Sequence, residues 1–336
     1  MSRQRKIPTP AWHHRDSVKA GGLSGSRAKL YGMIGIILLV VAGVGVIAFG
    51  YLSDYISDQN RPGSVAIRVD DRKYSVSDYT ERARMYSEQF GSTSAATVLT
   101  SVSADIIDEV ILLNSAAELG VEATDDEIKA EIAQLLGITS DDPNFDARYQ
   151  EELAAIDLSE EEYRDMARGN VLQGKVRDKF EADLPATIDS INYRQIQVSD
   201  QATADEIVTQ LEGGADFATL AAEQSADTQT KDTGGDKGWV PRGILTDAQE
   251  DLLFSLEPGE FTTYPSGAVV FVYEVIERDE DHELEEEDKP TLASTEYNDW
   301  IIEKRDAADV QNEMDPTTGD GDKIRYVIDH AGLTLS

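Results

Sequence analysis

The residues that could carry chemistry lie around one glycine-rich stretch. Residues 213–239 read GGADFATLAAEQSADTQTKDTGGDKGW, in which Asp227 follows a short amphipathic helix and a glycine cluster ends at Trp239. Further along the chain, Ser266 precedes Gly267 and adds a hydroxyl. Each polar residue also has a simpler interpretation as a turn residue that bonds loop amides. The pattern therefore leaves catalysis, binding and a structural turn open.

The absence of cysteine and the scarcity of histidine exclude several chemistries. Thiol nucleophiles, cysteine-ligated zinc and disulfide bonds all need cysteine. The four histidines all lie outside residues 187–278, at His13, His14, His282 and His330. Two acidic segments, 277–288 and 315–322, lack the ligand spacing of a metal site and are interpreted as a solvated linker and a turn. We expect neither a metal nor a cofactor.

The charge balance restricts the class of partner. The 336 residues include 65 acidic and 30 basic side chains, for a net charge of −35. A phosphate backbone requires a basic surface, so nucleic acid is excluded as a partner. Acidity of this degree indicates high solubility or a saline habitat and says little about the fold.

The N-terminal region predicts a single membrane anchor. Residues 30–53, LYGMIGIILLVVAGVGVIAFGYLS, contain no charged side chain, and about 20 apolar residues of helix suffice to span a bilayer. The competing interpretation is a signal peptide cleaved near Gly50, but this stretch exceeds the usual signal core of about 7–15 residues. The basic tail, 1–29, is predicted to stay in the cytoplasm, which places the rest of the chain outside the cell membrane.

The elements after the anchor predict an α+β protein with two folded regions. Residues 54–186 are predicted to be helical, opened by a hairpin, with a first helix at about 76–90 and with capping boxes at Thr124 and Ser159 before two further helices. Over 187–278, strands bracket helices, as expected for a compact α/β domain. An acidic linker is predicted for 279–290. A C-terminal helix and tail, 291–336, is predicted to pack on the helical domain.

The domain at 187–278 resembles the parvulin-type peptidyl-prolyl isomerases. The resemblance rests on motifs in the family's order: the strand at 193–198, GADFATLAAEQSAD, GGDKGW, LFSLEPGE and SGAVVFVYEV. The helical region before it, with LSEEEYRDMARGNVLQGKV, is similar to the N-terminal chaperone region of SurA-type and PrsA-type foldases. The resemblance implies an FKBP-like superfold for the α/β domain and a foldase of exported proteins.

The resemblance also implies a polar cluster of two histidines, a cysteine or aspartate, and a hydroxyl. Carried over to this chain, the histidine positions fall on Gln195 and Val269, and the other two fall on Asp227 and Ser266. Both histidines of the family are therefore absent.

The proline pocket of the family is altered as well. Its apolar positions fall on Lys237, Leu245 and Gln249, and Phe254 lies on the buried face of the next helix. The polar side chains of Lys237 and Gln249 would make the pocket more hydrated. Such a pocket suits a proline ring poorly, because unpaired polar groups are costly to desolvate.

Three functions remain open from the sequence. The first is a membrane-anchored foldase or holdase that binds unfolded or nascent exported polypeptides, with a catalytically weakened isomerase domain. The second is an active prolyl isomerase, since twisting an amide needs no general acid in principle. The third is a non-enzymatic scaffold that docks a partner beside the secretion translocon.

Overall fold

The computed structural model describes residues 60–335 except 92, 93 and 157. The predicted basic tail over 1–29 and the predicted transmembrane helix over 30–53 lie outside these residues. Within the described part of the chain, none of the helices combines the length and the apolar character of a membrane span. The chain divides into two units at Gly63, and the helices and strands that follow lie in the second.

A hairpin and five helices form the first part of this unit. Strands β1 (Val65–Val69) and β2 (Arg72–Ser75) turn at Asp70, whose φ is +52°. The helices are α1 (Val76–Phe90), α2 (Ala95–Ser115), α3 (Asp125–Leu135), α4 (Phe145–Ala155) and α5 (Glu160–Asp183).

Both predicted capping boxes are confirmed. Thr124 caps α3 and Ser159 caps α5, each bonded to the backbone of a glutamate three residues on, whose carboxylate returns to the capping residue. A third box, at Ser75, starts α1. These reciprocal bonds satisfy amides that the first turn of a helix leaves without partners.

The sheet domain, residues 187–283, is built on four antiparallel strands. Its strands are β3 (Thr187–Val198), β4 (Asp236–Pro241), β5 (Phe261–Ser266) and β6 (Val269–Glu283), in the order β4-β3-β6-β5. Its helices are α6 (Gln201–Glu212), α7 (Phe217–Gln224) and α8 (Asp247–Leu253).

Alternation along the strands gives the sheet two buried faces. One face packs Ile196 and Val272 against α6 and α7. The other gathers Tyr193, Tyr273 and Phe254 around the end of α8. The candidate polar residues lie beside this second, aromatic face.

The acidic segment expected as a linker over 279–290 is strand in its first part. Strand β6 continues to Glu283, which pairs with Thr187 at the start of β3. The acidic side chains of this extension are largely exposed, so they stay hydrated while the strand pairing satisfies the backbone. The charge run alone could not indicate this, because the pairing partner is far away in sequence.

The C-terminal residues return to the helical part. Helix α9 (Lys289–Ala307) packs against α5 and α2, strand β7 (Val310–Asn312) pairs with β1, and α10 (Gly321–His330) packs against α1. Tyr297 and Ile301 of α9 are buried in the same core as α2. We call residues 64–183 together with 289–335 the helical lobe.

Candidate functional site

The structure brings Gln195 and Asp227 into direct contact. Gln195 on β3 donates from Nε2 to Asp227 Oδ2 over 2.8 Å, and Thr230 Oγ1 donates to the same oxygen over 2.6 Å. The backbone amide of Gln229 donates to Asp227 Oδ1 over 2.9 Å. The carboxylate is therefore held on both oxygens by groups of the chain itself.

These contacts set the charge state of Asp227. Desolvation raises the pKa of the carboxyl, but the hydrogen bonds from Thr230 and Gln195 outweigh it, and the pKa lies below its usual range. Lys237 adds a favourable charge interaction. Asp227 is consequently an ionised hydrogen-bond acceptor at neutral pH and is poorly suited to proton transfer there.

The glycine cluster is required by a close approach of backbone to backbone. Gln195 N donates to Gly235 O over 2.8 Å, and Gly235 has a φ of +82°. A Cβ atom on Gly235 would lie 2.3 Å from Gln195 O. The loop can therefore bring Asp227 and Thr230 against β3 only with glycine at this position.

Aromatic rings occupy the sheet face next to the polar cluster. The strand register places Tyr273 opposite Gln195. Tyr273 stacks on Phe271 at 5.6 Å and meets Tyr193 edge-on at 5.7 Å. Its hydroxyl accepts a hydrogen bond from Gln249 Nε2 over 2.8 Å, and burial raises the pKa of the phenol. Gln249 therefore ties α8 to the aromatic face.

Two of the residues carried over from the family lie apart from this cluster. Ser266 is exposed at the β5–β6 turn and pairs in register with Val269. Val269 lies four residues before Tyr273 on β6, or about 13 Å along a strand. The register therefore puts Tyr273, and not Val269, across from Gln195.

The expected pocket residues are divided between surface and core. Lys237 is exposed, whereas Leu245 is partly buried in the cluster around the end of α8. Phe254 is buried, and the guanidinium of Arg242 lies 3.9 Å from the centre of its ring. Phe254 is thus a core residue covered by a cation.

One histidine lies in the sheet after all, because β6 extends beyond residue 278. His282 stacks on Trp239 at 4.0 Å. It pairs with Ile188, seven residues or about 23 Å of strand from Gln195. His330 stacks on Tyr326 in α10. His282 therefore lies far along the strand from Gln195, and His330 lies in the helical lobe.

The residues that sequence reasoning missed are Thr230 and the aromatic side chains. Period-two alternation from Gln195 reaches Tyr193, and the same alternation links Phe271 to Tyr273, so a signal for the rings was present. Thr230 carried no signal, because only the folded loop turns its hydroxyl toward Asp227.

Family models match two consecutive regions of the chain. A SurA-like N-terminal domain matches residues 26–177, and a PPIC-type PPIase domain matches residues 187–279. The chain therefore carries a SurA-like region followed by a PPIC-type isomerase region, as the motifs predicted.

Relatives that this chain resembles are named as PrsA foldases. Foldase protein PrsA of Caldanaerobacter subterraneus subsp. tengcongensis is 24% identical over 67% of this chain and 75% of its own length. The foldase protein PrsA of a Geobacillus species is 30% identical over 54% of this chain and 64% of its own length. The second relative is thus covered for less than two thirds of its length. This chain is therefore similar to the PrsA foldases.

Among solved structures, a peptidylprolyl isomerase (PrsA) from Bacillus cereus is similar over 82% of this chain and 95% of its own. The identity is 19% and the TM-score 0.39, which is too low to support an argument on function.

Proposed function

We propose that the chain is a membrane-anchored, extracytoplasmic foldase that binds unfolded or nascent exported polypeptides and has little or no prolyl isomerase activity. The order of the two matched domains supports the foldase role. The apolar stretch at 30–53 supports the anchor, with the N-terminus in the cytoplasm and the bulk of the chain outside. Such a location would also put the chain close to the secretion translocon.

The observation that supports weak catalysis is the internal pairing of Gln195 and Asp227. An isomerase must bind the twisted amide more tightly than the planar one, against a barrier of about 18–20 kcal/mol. Here the carboxylate already accepts bonds from Gln195, Thr230 and a backbone amide. A substrate would have to compete with these donors, so little is left to favour the transition state.

Two assays on the full chain test this proposal. Isomerisation of a proline-containing peptide, followed by NMR exchange or coupled proteolysis, should be close to the uncatalysed rate. Aggregation of an unfolded client protein should be delayed at several-fold excess of the chain. Turnover at the level of an ordinary parvulin would contradict the first statement, and unchanged aggregation would contradict the second.

An active isomerase is the second candidate function. It is favoured by the match of the whole sheet domain to the PPIC-type PPIase model and by the presence of an ionised carboxylate at Asp227. The isomerisation assay separates the two candidates. Specific binding of one translocon component without any effect on aggregation would instead indicate a scaffold.

A further inference from the structure

A cleft with an exposed apolar rim lies in the helical lobe, away from the sheet domain. It encloses about 290 Å³ between α1, α2, α5 and the end of α3. Phe90 and Leu135, both on its walls, are 61% and 40% exposed. Large apolar side chains left open around a concavity are typical of a binding surface. The volume lies near the lower limit of about 300 Å³ for ligand pockets, so the cleft would take a few side chains at a time.

Two methionines make the cleft adaptable. Met85 of α1 and Met166 of α5 line it and are partly buried against the core around α3 and α4. Unbranched thioether side chains change rotamer easily, and surfaces rich in them accept many different apolar partners. The cleft is therefore suited to short segments of varied sequence.

The wall formed by α2 carries three carboxylates, two of which are neutralised. Glu109 pairs with Arg82 at 2.5 Å, with both side chains buried. Asp108 pairs with Arg305 of α9 at 2.5 Å. Asp105 makes neither a hydrogen bond nor an ion pair with any described residue. It therefore places an exposed negative charge without a direct partner on the cleft wall.

Asp105 is exposed at the cleft wall, and its carboxyl lies close to other charged groups. Desolvation, followed by repulsion from Asp108, raises the pKa of the carboxyl, although the charge of Arg82 acts in the opposite direction. A cation brought into the cleft would offset the repulsion from Asp108, whereas an anion would add to it. An uncharged apolar segment would leave the carboxylate without a partner and further desolvated.

We propose that this cleft binds apolar peptide segments that contain a lysine or an arginine, with the cation paired to Asp105 and the apolar side chains on Phe90 and Leu135. This names a substrate class for the proposed foldase and rests on that function. The net charge of −35 acts in the same direction at long range, because it attracts cationic segments.

The test uses the full chain and three labelled peptides that differ at one central position, with lysine, norleucine or glutamate in an otherwise apolar sequence. Fluorescence anisotropy at low salt should show the lysine peptide binding about two- to fivefold more tightly than the norleucine peptide, as for a partly exposed ion pair. The glutamate peptide should bind most weakly. Asp105→Asn should abolish the preference for lysine.

Two further variants locate the effect. Glu122→Gln removes a carboxylate that is exposed and outside the cleft, so the preference for lysine should persist. Phe90→Ser should weaken the binding of all three peptides. Circular dichroism should show an unchanged fold, because Phe90 is exposed. The proposal is overturned if wild type binds none of the peptides or shows no preference for lysine, if the preference survives Asp105→Asn, or if Phe90→Ser has no effect.

The experiments distinguish a wrong assignment of the cleft from a wrong assignment of the foldase function. If the chain delays client aggregation but Asp105→Asn retains the preference for lysine, the cleft assignment is wrong and the foldase function stands. If the chain delays no aggregation, the foldase function is wrong, whatever the peptides show.

Discussion

Two aspartates of this chain are placed in opposite electrostatic environments. Asp227 has both oxygens bonded by neighbouring groups, and its pKa lies below the usual range. Asp105 is exposed and has no such bonds in the described structure, and desolvation together with repulsion from Asp108 raises the pKa of its carboxyl. A satisfied carboxylate stabilises the fold and resists a new partner, whereas an unsatisfied one gains from a partner. Asp227, the candidate catalytic residue in the sequence, is therefore the one of the two that has a structural role.

We expect Asp227→Asn to destabilise the sheet domain by about 1–3 kcal/mol at pH 7, because hydrogen bonds to a charged group are lost or weakened. The folded pKa is depressed, so this contribution is present above the unfolded pKa of about 3.9 and is lost as the pH falls through the folded value. Urea unfolding at pH 7 and at pH 3 measures it. The exposed Asp232→Asn, in the same loop, should change little, and equal effects of both variants would contradict the assignment.

We expect Gly235→Ala to cost about 3 kcal/mol or more, since its Cβ would lie 2.3 Å from Gln195 O. Gly238→Ala is the matched control. Gly238 also has a positive φ, of +69°, but a Cβ there meets nothing within 4 Å, so only the backbone strain of about 1–2 kcal/mol applies. Urea unfolding of both variants decides the point. Similar losses would show that Gly235 is needed for its φ alone.

At the scale of elements, local sequence signals predict where helices begin, but they predict poorly which strands pair. The box at Ser159 and the helix Val76–Phe90 were predictable, because the signals lie within a few residues of each other. The extension of β6 and the addition of β7 were not, since their partners Thr187 and Ile67 are far away in sequence. Pairing of this kind depends on tertiary structure, which local patterns do not contain.

The same limit applies to the candidate site. Alternation could place Tyr193 and Gln195 on one face of β3. Only the pairing of β3 with β6 determines which residue lies opposite Gln195, and this register brings Tyr273 there instead of Val269. The family positions carried over along the sequence correctly assigned Gln195 and Asp227 to one site. They did not predict the aromatic rings that line the adjoining sheet face.

We expect Ser159→Ala to destabilise the helical lobe by about 0.5–2 kcal/mol. Ser159 caps α5, and α5 contacts α2, α3 and α9, so fraying at its start weakens the lobe where several helices meet. Ser159→Asp retains a capping oxygen and should remain close to wild type. Thermal unfolding followed by circular dichroism compares the two. Equal loss in both variants would show that the hydroxyl acts through something other than the cap.

At the scale of the whole molecule, the C-terminal residues complete the helical lobe that begins with the first helices. Helix α9 leaves the sheet domain and packs on α5 and α2, and β7 completes the three-stranded sheet beside β1. Thr295 of α9 also donates to the carbonyl of Gly243 over 3.1 Å, on the loop that leads to α8. The sheet domain is thus inserted between two halves of the helical lobe and contacts the second half directly.

The acidic surface predicts that salt stabilises this protein. Even if all 30 basic residues paired with acids, 35 of the 65 acidic residues would remain unpaired, so repulsion outweighs the ion pairs that salt weakens. Raising NaCl from about 0.05 to 1 M shortens the Debye length to about 3 Å. We expect the Tm to rise by about 2–4 °C for each kcal/mol of repulsion that is screened.

The pH dependence of this salt effect identifies its cause. Lowering the pH toward the usual carboxyl pKa of about 4 protonates acidic side chains and reduces the negative charge, so the rise of Tm with NaCl should be smaller at pH 4.5 than at pH 7. Differential scanning calorimetry across both series measures the two slopes. A Tm that falls with NaCl at pH 7 would show that ion pairs such as Arg82–Glu109 outweigh the repulsion. Equal slopes at the two pH values would assign the effect to salt exclusion from apolar surface instead.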